Sequence, residues 1–475
     1  MKLRSASAFL PRLKLAGQFS LIGGIFLLYI LYFLLFGYRS AIPFDAGVYW
    51  YSSLDFYRDN HFSLLTFDNA LRGYVYPLLL FVPRVVTDIS GLKPIYMSIL
   101  LGATTAALAF GYIFPALYHR INPAAIITMK RRIVFALLGF LFWRGYFNYT
   151  LSDFPAIICL AVSMLCIVRK KSGGQYLLAG AFLAAAVNIR SVYLIAVPLL
   201  LLALVVRAHY SYAFLARSLL AFGVGMVIIF TPQSLINRHN HQTSSFLVQN
   251  KVTDLGVNDL YLAQLEWGIR YQKYETSLGG IYPDAKVLFI DPVGQYILRG
   301  YGLADNRIQR QQFKSYTEYT AIVLANPVRS LTMYGRHLFN MMDVHHSTPY
   351  IRNIYDYNLL LTILNYSLWF AVLLLLIYNK PLTADLFKLL LLGALLVPCL
   401  VALPMAVECR FALPAHLLLY ALVSFSWPAH WQWKSLGLAQ KLKLLGVYGA
   451  FLGCCLGMSA QTYSNLEFGK VSLWP

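Results

Sequence analysis

The chain is poor in charge. Asp, Glu, Lys and Arg make up 12% of its 475 residues, against roughly 25% in a soluble globular domain. With 59% hydrophobic residues and a mean hydropathy of +0.60, this excludes an ordinary water-soluble fold. Acid is scarcest, with 19 Asp and Glu against 39 Lys and Arg. Cysteine is also rare. Cys159, Cys166, Cys399, Cys409, Cys454 and Cys455 lie almost entirely within apolar runs. No CxxC or Cys/His spacing suits zinc, so they read as small buried hydrophobes. There is no internal repeat and there are no inverted halves, which counts against a transporter. No small-residue cleavage site follows the basic N-terminus, so the first apolar segment reads as a retained helix and not a signal peptide.

What is present is a series of long apolar runs. About eleven could cross a bilayer as helices: Ala16–Gly37, Pro94–Tyr118, Ile133–Tyr149, Phe154–Val168, Tyr176–Ile189, Val192–Val206, Tyr212–Phe230, Asn358–Tyr378, Leu386–Met405, Phe411–Phe425 and Leu444–Ala460. Pro232 is expected to close the seventh. The expected fold is an all-α polytopic membrane protein in three parts. Residues 1–232 form a transmembrane module whose first external loop is 38–93, residues 233–357 an external, mostly helical cap, and residues 358–475 the last helices. Tyr74–Val86, broken by Pro77 and Pro83, reads as a helix lying at the membrane interface. Ala325-Asn326-Pro327 should interrupt a helix in the cap.

The net charge of +20 follows this layout. Outside Gln233–Tyr357 there are 27 basic and 9 acidic residues, of which 18 basic residues and only Asp385 fall on one side of the membrane. That asymmetry is the positive-inside rule. It puts Lys2, Arg4, Arg12 and Lys14 in the cytoplasm, with Arg169-Lys170-Lys171 and a Trp427, Trp431, Trp433 and Lys434 belt on the same side. The charge thus orients the chain among membrane lipids and needs no nucleic-acid partner. The long loop, with 12 basic and 10 acidic residues, is nearly neutral, as a translocated region should be.

The stretch Phe44–Tyr51 organises the candidate chemistry. Asp45 stands just beyond the first membrane exit, beside a Tyr-Trp-Tyr run suited to the interface. Arg144, Asp153, Arg190, Glu408 and Arg410 all come from helix ends on that same side. Such groups are costly at membrane depth and often mark function. Two readings are open: they line one pocket with Asp45, or they form ion pairs that stabilise the bundle, Glu408 with Arg410 for instance. His345-His346, with Asp343 nearby, reads as a pair of exposed loop histidines rather than metal ligands.

At this point the chain resembles the GT-C superfamily of polytopic glycosyltransferases that use polyprenyl-phosphate-linked sugars. It is most similar to family 39-like bacterial members related to protein O-mannosyltransferase and lipid A aminoarabinose transferase. The resemblance rests on Asp45 followed by Tyr49, on Arg72-Gly73-Tyr74-Val75-Tyr76-Pro77-Leu78-Leu79 in the same loop, on Ser152-Asp153-Phe154-Pro155, and on Glu408 to Pro414 read as Glu-x-Arg-Phe-x-x-x-Pro. Arg190, ending a Gly-Ala-rich helix, also fits. Asp45-Ala46 departs from the Asp-Glu pair common in protein mannosyltransferases.

The resemblance implies a GT-C fold and an inverting transfer to a glycan, lipid or protein acceptor. A sugar on polyprenyl phosphate already carries a good leaving group, so one base suffices, with cations for the departing phosphate. Asp45 would be that base. Arg190 and Arg410 would bind the phosphate through two hydrogen bonds each, and Asp153, Glu408, Tyr49 and Arg144 would orient them or the acceptor. A divalent cation held by Asp45 and Asp153 is a further option. The implied location is a bacterial inner membrane with the site facing the periplasm. Two other readings are weighed. An O-antigen polymerase or ligase would rely on loop Arg and His. A transporter or flippase of lipid-linked sugar would need charge through the span interiors, which are largely free of it.

Overall fold

The computed structural model describes residues 15–36, 42–58, 61–168, 173–207, 212–251, 259–278, 286–303, 313–351, 357–379, 385–428 and 437–467. Lys2, Arg4, Arg12, Lys14, Arg169-Lys170-Lys171, Trp431, Trp433 and Lys434 lie outside them.

Each of the eleven apolar runs is helical. They form α1 (Leu15–Phe36), α4 (Pro94–Leu108) running through one π-turn into α5 (Phe114–Ile121), α6 (Met129–Trp143), α7 (Asp153–Val168), α8 (Gly173–Ile189), α9 (Ala196–Arg207), α10 (Tyr212–His241), α15 (Leu359–Asn379), α16 (Leu386–Val401), α17 (Leu413–Ser426) and α18 (Leu438–Ser464). Among the described residues six helices are long and apolar enough to cross a bilayer. Asp153–Val168, Gly173–Ile189, Ser191–Arg207 and Leu386–Val401 are shorter apolar helices. The protein is therefore a helical, membrane-embedded one. An aromatic core of Tyr29, Phe110, Phe142, Trp143, Phe154 and Tyr420 joins α1, α4–α7 and α17.

Small residues permit a close helix crossing. A Cβ on Gly180 would lie 1.9 Å from the Phe222 carbonyl oxygen, and one on Gly225 would lie 2.0 Å from that of Leu177. The backbones of α8 and α10 touch there, as glycine-bearing membrane helices can.

The first external loop holds α2 (Phe44–Ser52), a short hairpin of β1 (Tyr57–Arg58) and β2 (His61–Phe62), and α3 (Val75–Ser90). The last of these confirms a helix where Tyr74–Val86 was expected to form one. Residues from α10 onward build α11 (Leu260–Arg270), β3 (Tyr271–Ser277), β4 (Lys286–Ile290), α12 (Pro292–Gly300), α13 (Tyr316–Ala325), α14 (Pro327–Met342) and β5 (Tyr350–Ile351). The break at Asn326 falls where Pro327 requires it.

One expectation is corrected. Pro232 does not end its helix: α10 runs on to His241, so the second part begins inside a helix. A proline removes one hydrogen bond and need not stop a helix whose freed groups find other partners. The cap, expected to be mostly helical, also holds a small sheet. β3 pairs antiparallel with β4 and parallel with β5 in a three-stranded sheet. Its strand Tyr-Gln-Lys-Tyr-Glu-Thr-Ser has the aromatic and β-branched content of a strand but no clean apolar alternation, because Lys273 and Glu275 are buried and satisfy each other at 2.9 Å.

Candidate functional site

α2 begins under constraint. Phe44 has φ +46°, a left-handed conformation that costs a bulky residue strain. The turn is held by its neighbours. Tyr350 donates its hydroxyl to the Pro43 carbonyl at 3.4 Å, and the Ala46 amide donates to the Tyr350 hydroxyl at 3.4 Å. Thr150 donates to the Ala46 carbonyl at 2.8 Å. The Phe44 ring packs on Tyr350 with centroids 5.4 Å apart. Gly47 permits the fold-back, since a Cβ there would lie 2.7 Å from the Ile42 carbonyl oxygen. The result presents Asp45, in the first turn of α2, to residues from three other parts of the chain.

Arg72 reaches Asp45 at 2.8 Å, and Arg410 lies 3.5 Å from its other oxygen. Arg410 also approaches Asp153 at 3.5 Å and pairs with Glu408 at 2.7 Å. Arg190 pairs with Asp153. Tyr49 donates to Ser152, the residue before Asp153, at 3.0 Å. The Arg72 guanidinium stands 5.2 Å over the Tyr49 ring. Tyr274 of β3 hydrogen-bonds the Glu408 carboxylate. The first loop, the α6–α7 turn, the end of α8 and the Cys409–Ala412 turn before α17 thus meet in one network of three carboxylates and three guanidinium groups.

Asp45, Tyr49, Asp153, Arg190, Glu408 and Arg410 are brought together from the sequence set. Arg144 is not. It donates to the Leu141 carbonyl at 2.6 Å and lies over the rings of Tyr32 and Phe140, facing α1. It follows Trp143 at a helix end, and only the three-dimensional course of α6 decides which way it turns. The histidine expectation is corrected as well. His345 is buried, with Nε2 2.5 Å from Asp343 and 3.0 Å from Ser459, and Nδ1 2.8 Å from Thr362. This occluded knot ties the end of α14 to α15 and α18.

Arg72 and Tyr274 are additions that sequence reading did not place in the site. Arg72 had a signal, the Arg-Gly-Tyr start of the first-loop motif. A Cβ on Gly73 would lie 2.1 Å from the Asn188 carbonyl oxygen, so glycine is needed to press Arg72 against the end of α8. Asn188 accepts from the Val75 amide at 2.9 Å and donates to Gln233 at 2.8 Å, fixing loop, α8 and α10 together. Tyr274 had no signal, since it lies in a strand of the cap.

Burial alone would raise the Asp45 pKa, but the Arg72, Arg410 and Arg190 guanidinium groups outweigh it and hold the carboxyl below its ordinary value. Its side chain keeps 41% of its accessibility, whereas that of Asp153 keeps 2%. Asp45 is the carboxylate within reach of a substrate and Asp153 the brace behind it. Beside them opens a small pocket of ≈ 40 Å³. Asp153, Arg190 and Arg410 form its polar wall, and Val192, Tyr193, Pro398, Met405 and Phe411 line the rest. The Phe411 ring lies between the two arginines, 5.8 Å from Arg190 and 6.0 Å from Arg410. The Nε atoms of Arg72 and Arg410 are buried without a hydrogen-bond partner.

A divalent cation between Asp45 and Asp153 does not fit this arrangement. Arg410 already contacts both carboxylates, and a metal there would face three guanidinium charges. Among the described residues no group of three or more His, Cys, Asp or Glu is placed to hold a metal. Comparison with known proteins finds no matching family model and no curated protein of significant similarity.

Proposed function

We propose that this cluster is the active site of an inverting, GT-C-type glycosyltransferase that takes a sugar from polyprenyl phosphate. The observation that carries the reading is one network in which Arg72 and Arg410 reach Asp45 and Arg190 reaches Asp153, beside an otherwise apolar pocket lined by Arg190 and Arg410. Guanidinium groups recognise phosphate oxygens through paired hydrogen bonds. Apolar walls suit the first isoprene units attached to that phosphate. An exposed carboxylate next to the arginines suits an acceptor hydroxyl.

In the step so assigned, the acceptor O–H proton passes to Asp45 as the oxygen attacks the anomeric carbon. The bond from that carbon to the phosphate oxygen breaks, its electron pair stays with the phosphate, and the sugar inverts. Arg190 and Arg410 stabilise the leaving phosphate, Arg72 holds Asp45, and Asp153 and Glu408 orient the arginines. Tyr49 supports Arg72 and the Asp153 turn. The acceptor is an envelope glycan, lipid or protein. The full reading has about eleven spans, a cytoplasmic N-terminus and a periplasmic site in a bacterial inner membrane. Burial of His345 weighs against the polymerase or ligase alternative, which would use an accessible loop histidine.

The deciding experiment is sugar transfer in membranes over-expressing the protein, with a panel of radiolabelled polyprenyl-phosphate sugars. Wild type transfers one of them and Asp45→Asn, inserted at wild-type level, does not. Full activity in Asp45→Asn would remove Asp45 as the base. Use of none of the donors would remove the donor class and bring the polymerase and transporter readings forward.

A further inference from the structure

The cap contains a helix that is amphipathic in an unusual sense. On α14, Ser330, Met333, His337, Asn340 and Met341 face the protein. The opposite stripe is apolar: Val328 is 76% exposed, Leu331 73% and Leu338 46%. Leu324, at the end of α13, extends the stripe with 71% exposure. A water-facing helix would place charge there. From Tyr319 to Met342 the chain contains no acidic residue. At the N-terminal end Arg329 stacks 4.3 Å over the Tyr296 ring, a cation and an aromatic of the kind that sits at head-group level.

The other end of α14 is held among the apolar helices. His416 of α17 lies 3.1 Å from the Met341 carbonyl oxygen, and Asn365 of α15 donates to that of Met342 at 2.8 Å. His337 lies 2.7 Å from the Leu403 carbonyl oxygen, just past α16, and Thr462 of α18 donates to Asn340 at 2.9 Å. Phe339 packs against Tyr366 and Trp369 of α15 with centroids 6.2 and 5.9 Å apart. Trp369 is ten residues into α15, about 15 Å along the helix at 1.5 Å per residue. The hydrocarbon half-thickness of a bilayer is also about 15 Å. The C-terminal turn of α14 therefore reaches the depth of the middle of α15.

We infer that α14 is inserted obliquely into the leaflet on the cap side, with Leu324, Val328, Leu331 and Leu338 against phospholipid acyl chains and Arg329 at the head groups. On the protein-facing side His337 Nδ1 and Asn340 bond within the bundle and only His337 Nε2 is buried without a partner, so insertion adds little desolvation cost on that side. α14 also packs on the Cys409–Ala412 turn that carries Arg410. The candidate site then has a lipid-immersed wall one element away, which a membrane-borne substrate requires. The inference depends on membrane embedding alone and stands or falls apart from the chemistry proposed above.

The test uses the full-length protein with Cys454, an exposed native cysteine, replaced by serine. A bimane fluorophore is attached at Leu331→Cys or Val328→Cys, and at Lys251→Cys as an exposed control. Each is reconstituted into phosphatidylethanolamine–phosphatidylglycerol vesicles, with or without bromine on the acyl chains. The expected result is loss of bimane fluorescence at positions 331 and 328 in brominated vesicles, with little loss on adding aqueous iodide, and the reverse at 251. Iodide quenching at 331 and 328 equal to that at 251, without bromolipid quenching, would overturn insertion. Both helix positions are exposed in the fold, so cysteine there is tolerated, and monodisperse elution of each labelled variant verifies this.

Discussion

Arg72→Ala separates holding Asp45 from binding phosphate. The substitution removes the 2.8 Å bond to Asp45 and the stacking on Tyr49, and leaves Arg410 at 3.5 Å as the nearest cation. Asp45 is 41% accessible, so solvent screens the pair and its contribution to stability is at most about 1 kcal/mol. Folded yield should stay near wild type. The effect on transfer should be larger. If Arg72 also meets the transferring phosphate, losing one preorganised donor costs about 10²–10³ in kcat, or about 2.7–4 kcal/mol. If it acts only on Asp45, kcat falls less and the pH profile moves. Asp45 in the free enzyme is held below its ordinary value, so it is ionised above that lowered value and activity is lost only as pH falls through it. Removing Arg72 raises the acid limb of kcat/KM toward the ordinary carboxylate range. The assay is transfer from the radiolabelled donor across pH, with Arg72→Lys as the variant that keeps charge but loses the planar fork. An Arg72→Ala protein with wild-type kcat and an unmoved acid limb would refute both roles.

Arg144→Ala should transfer at close to the wild-type rate and lose about 0.5–1 kcal/mol from its ring contacts; a loss of activity without loss of folded protein would return Arg144 to the site. Gly180→Val should collapse monodisperse yield, because its side chain enters the Phe222 carbonyl and such overpacking costs about 1–3 kcal/mol or more. Lys273→Met should destabilise by about 3–5 kcal/mol by stranding Glu275, while Lys273→Met with Glu275→Leu should recover most of that, read by thermal unfolding in detergent. Burial would raise the Glu275 pKa, but Lys273 and His346 pull it below its ordinary value. The stability it adds is therefore present above the unfolded glutamate range and lost as pH falls through the lower folded value, a pH dependence the double variant should lack.

The helices were legible because apolar length is a one-dimensional property: each run needs only enough consecutive hydrophobic residues. Asp45, Asp153, Arg190 and Arg410 were legible for a related reason. Charge is so rare beside these runs that each charged helix end stood out. Arg144 stood out equally and proved different, since a residue at a helix end can turn toward either neighbour and only packing decides. The sheet of the cap was hidden because β3 carries its buried Lys273 and Glu275 as a mutually satisfied pair, which reads in sequence as a solvated strand or loop. His345 was hidden likewise. Its partners Asp343, Thr362 and Ser459 come from three segments up to 116 residues apart, and no local spacing records such a cluster.

The charge balance of the site bears on which kinetic constant its arginines control. Asp45, Asp153 and Glu408 offset Arg72, Arg190 and Arg410, so the cluster is neutral before a donor binds. In the proposed reaction the donor is a phosphodiester carrying one negative charge. In the proposed transfer Asp45 would take up a proton and lose its charge, while the departing phosphate would gain one. Net charge in the site is unchanged, but one negative charge moves from the Asp45 side to the pocket side. Arg410 touches both Asp45 and Asp153 and lines the pocket, so it can follow that charge without leaving the network. Its interaction with the phosphate strengthens as the reaction proceeds, whereas its interaction with Asp45 weakens. An interaction that grows toward the transition state appears in kcat rather than KM. Arg410→Lys, which keeps a charge but cannot bridge two groups in one plane, should therefore lower kcat by about 10²-fold or more with little change in KM for the lipid donor. A rise in KM at constant kcat would instead make Arg410 a ground-state anchor and move the charge-following role to Arg190.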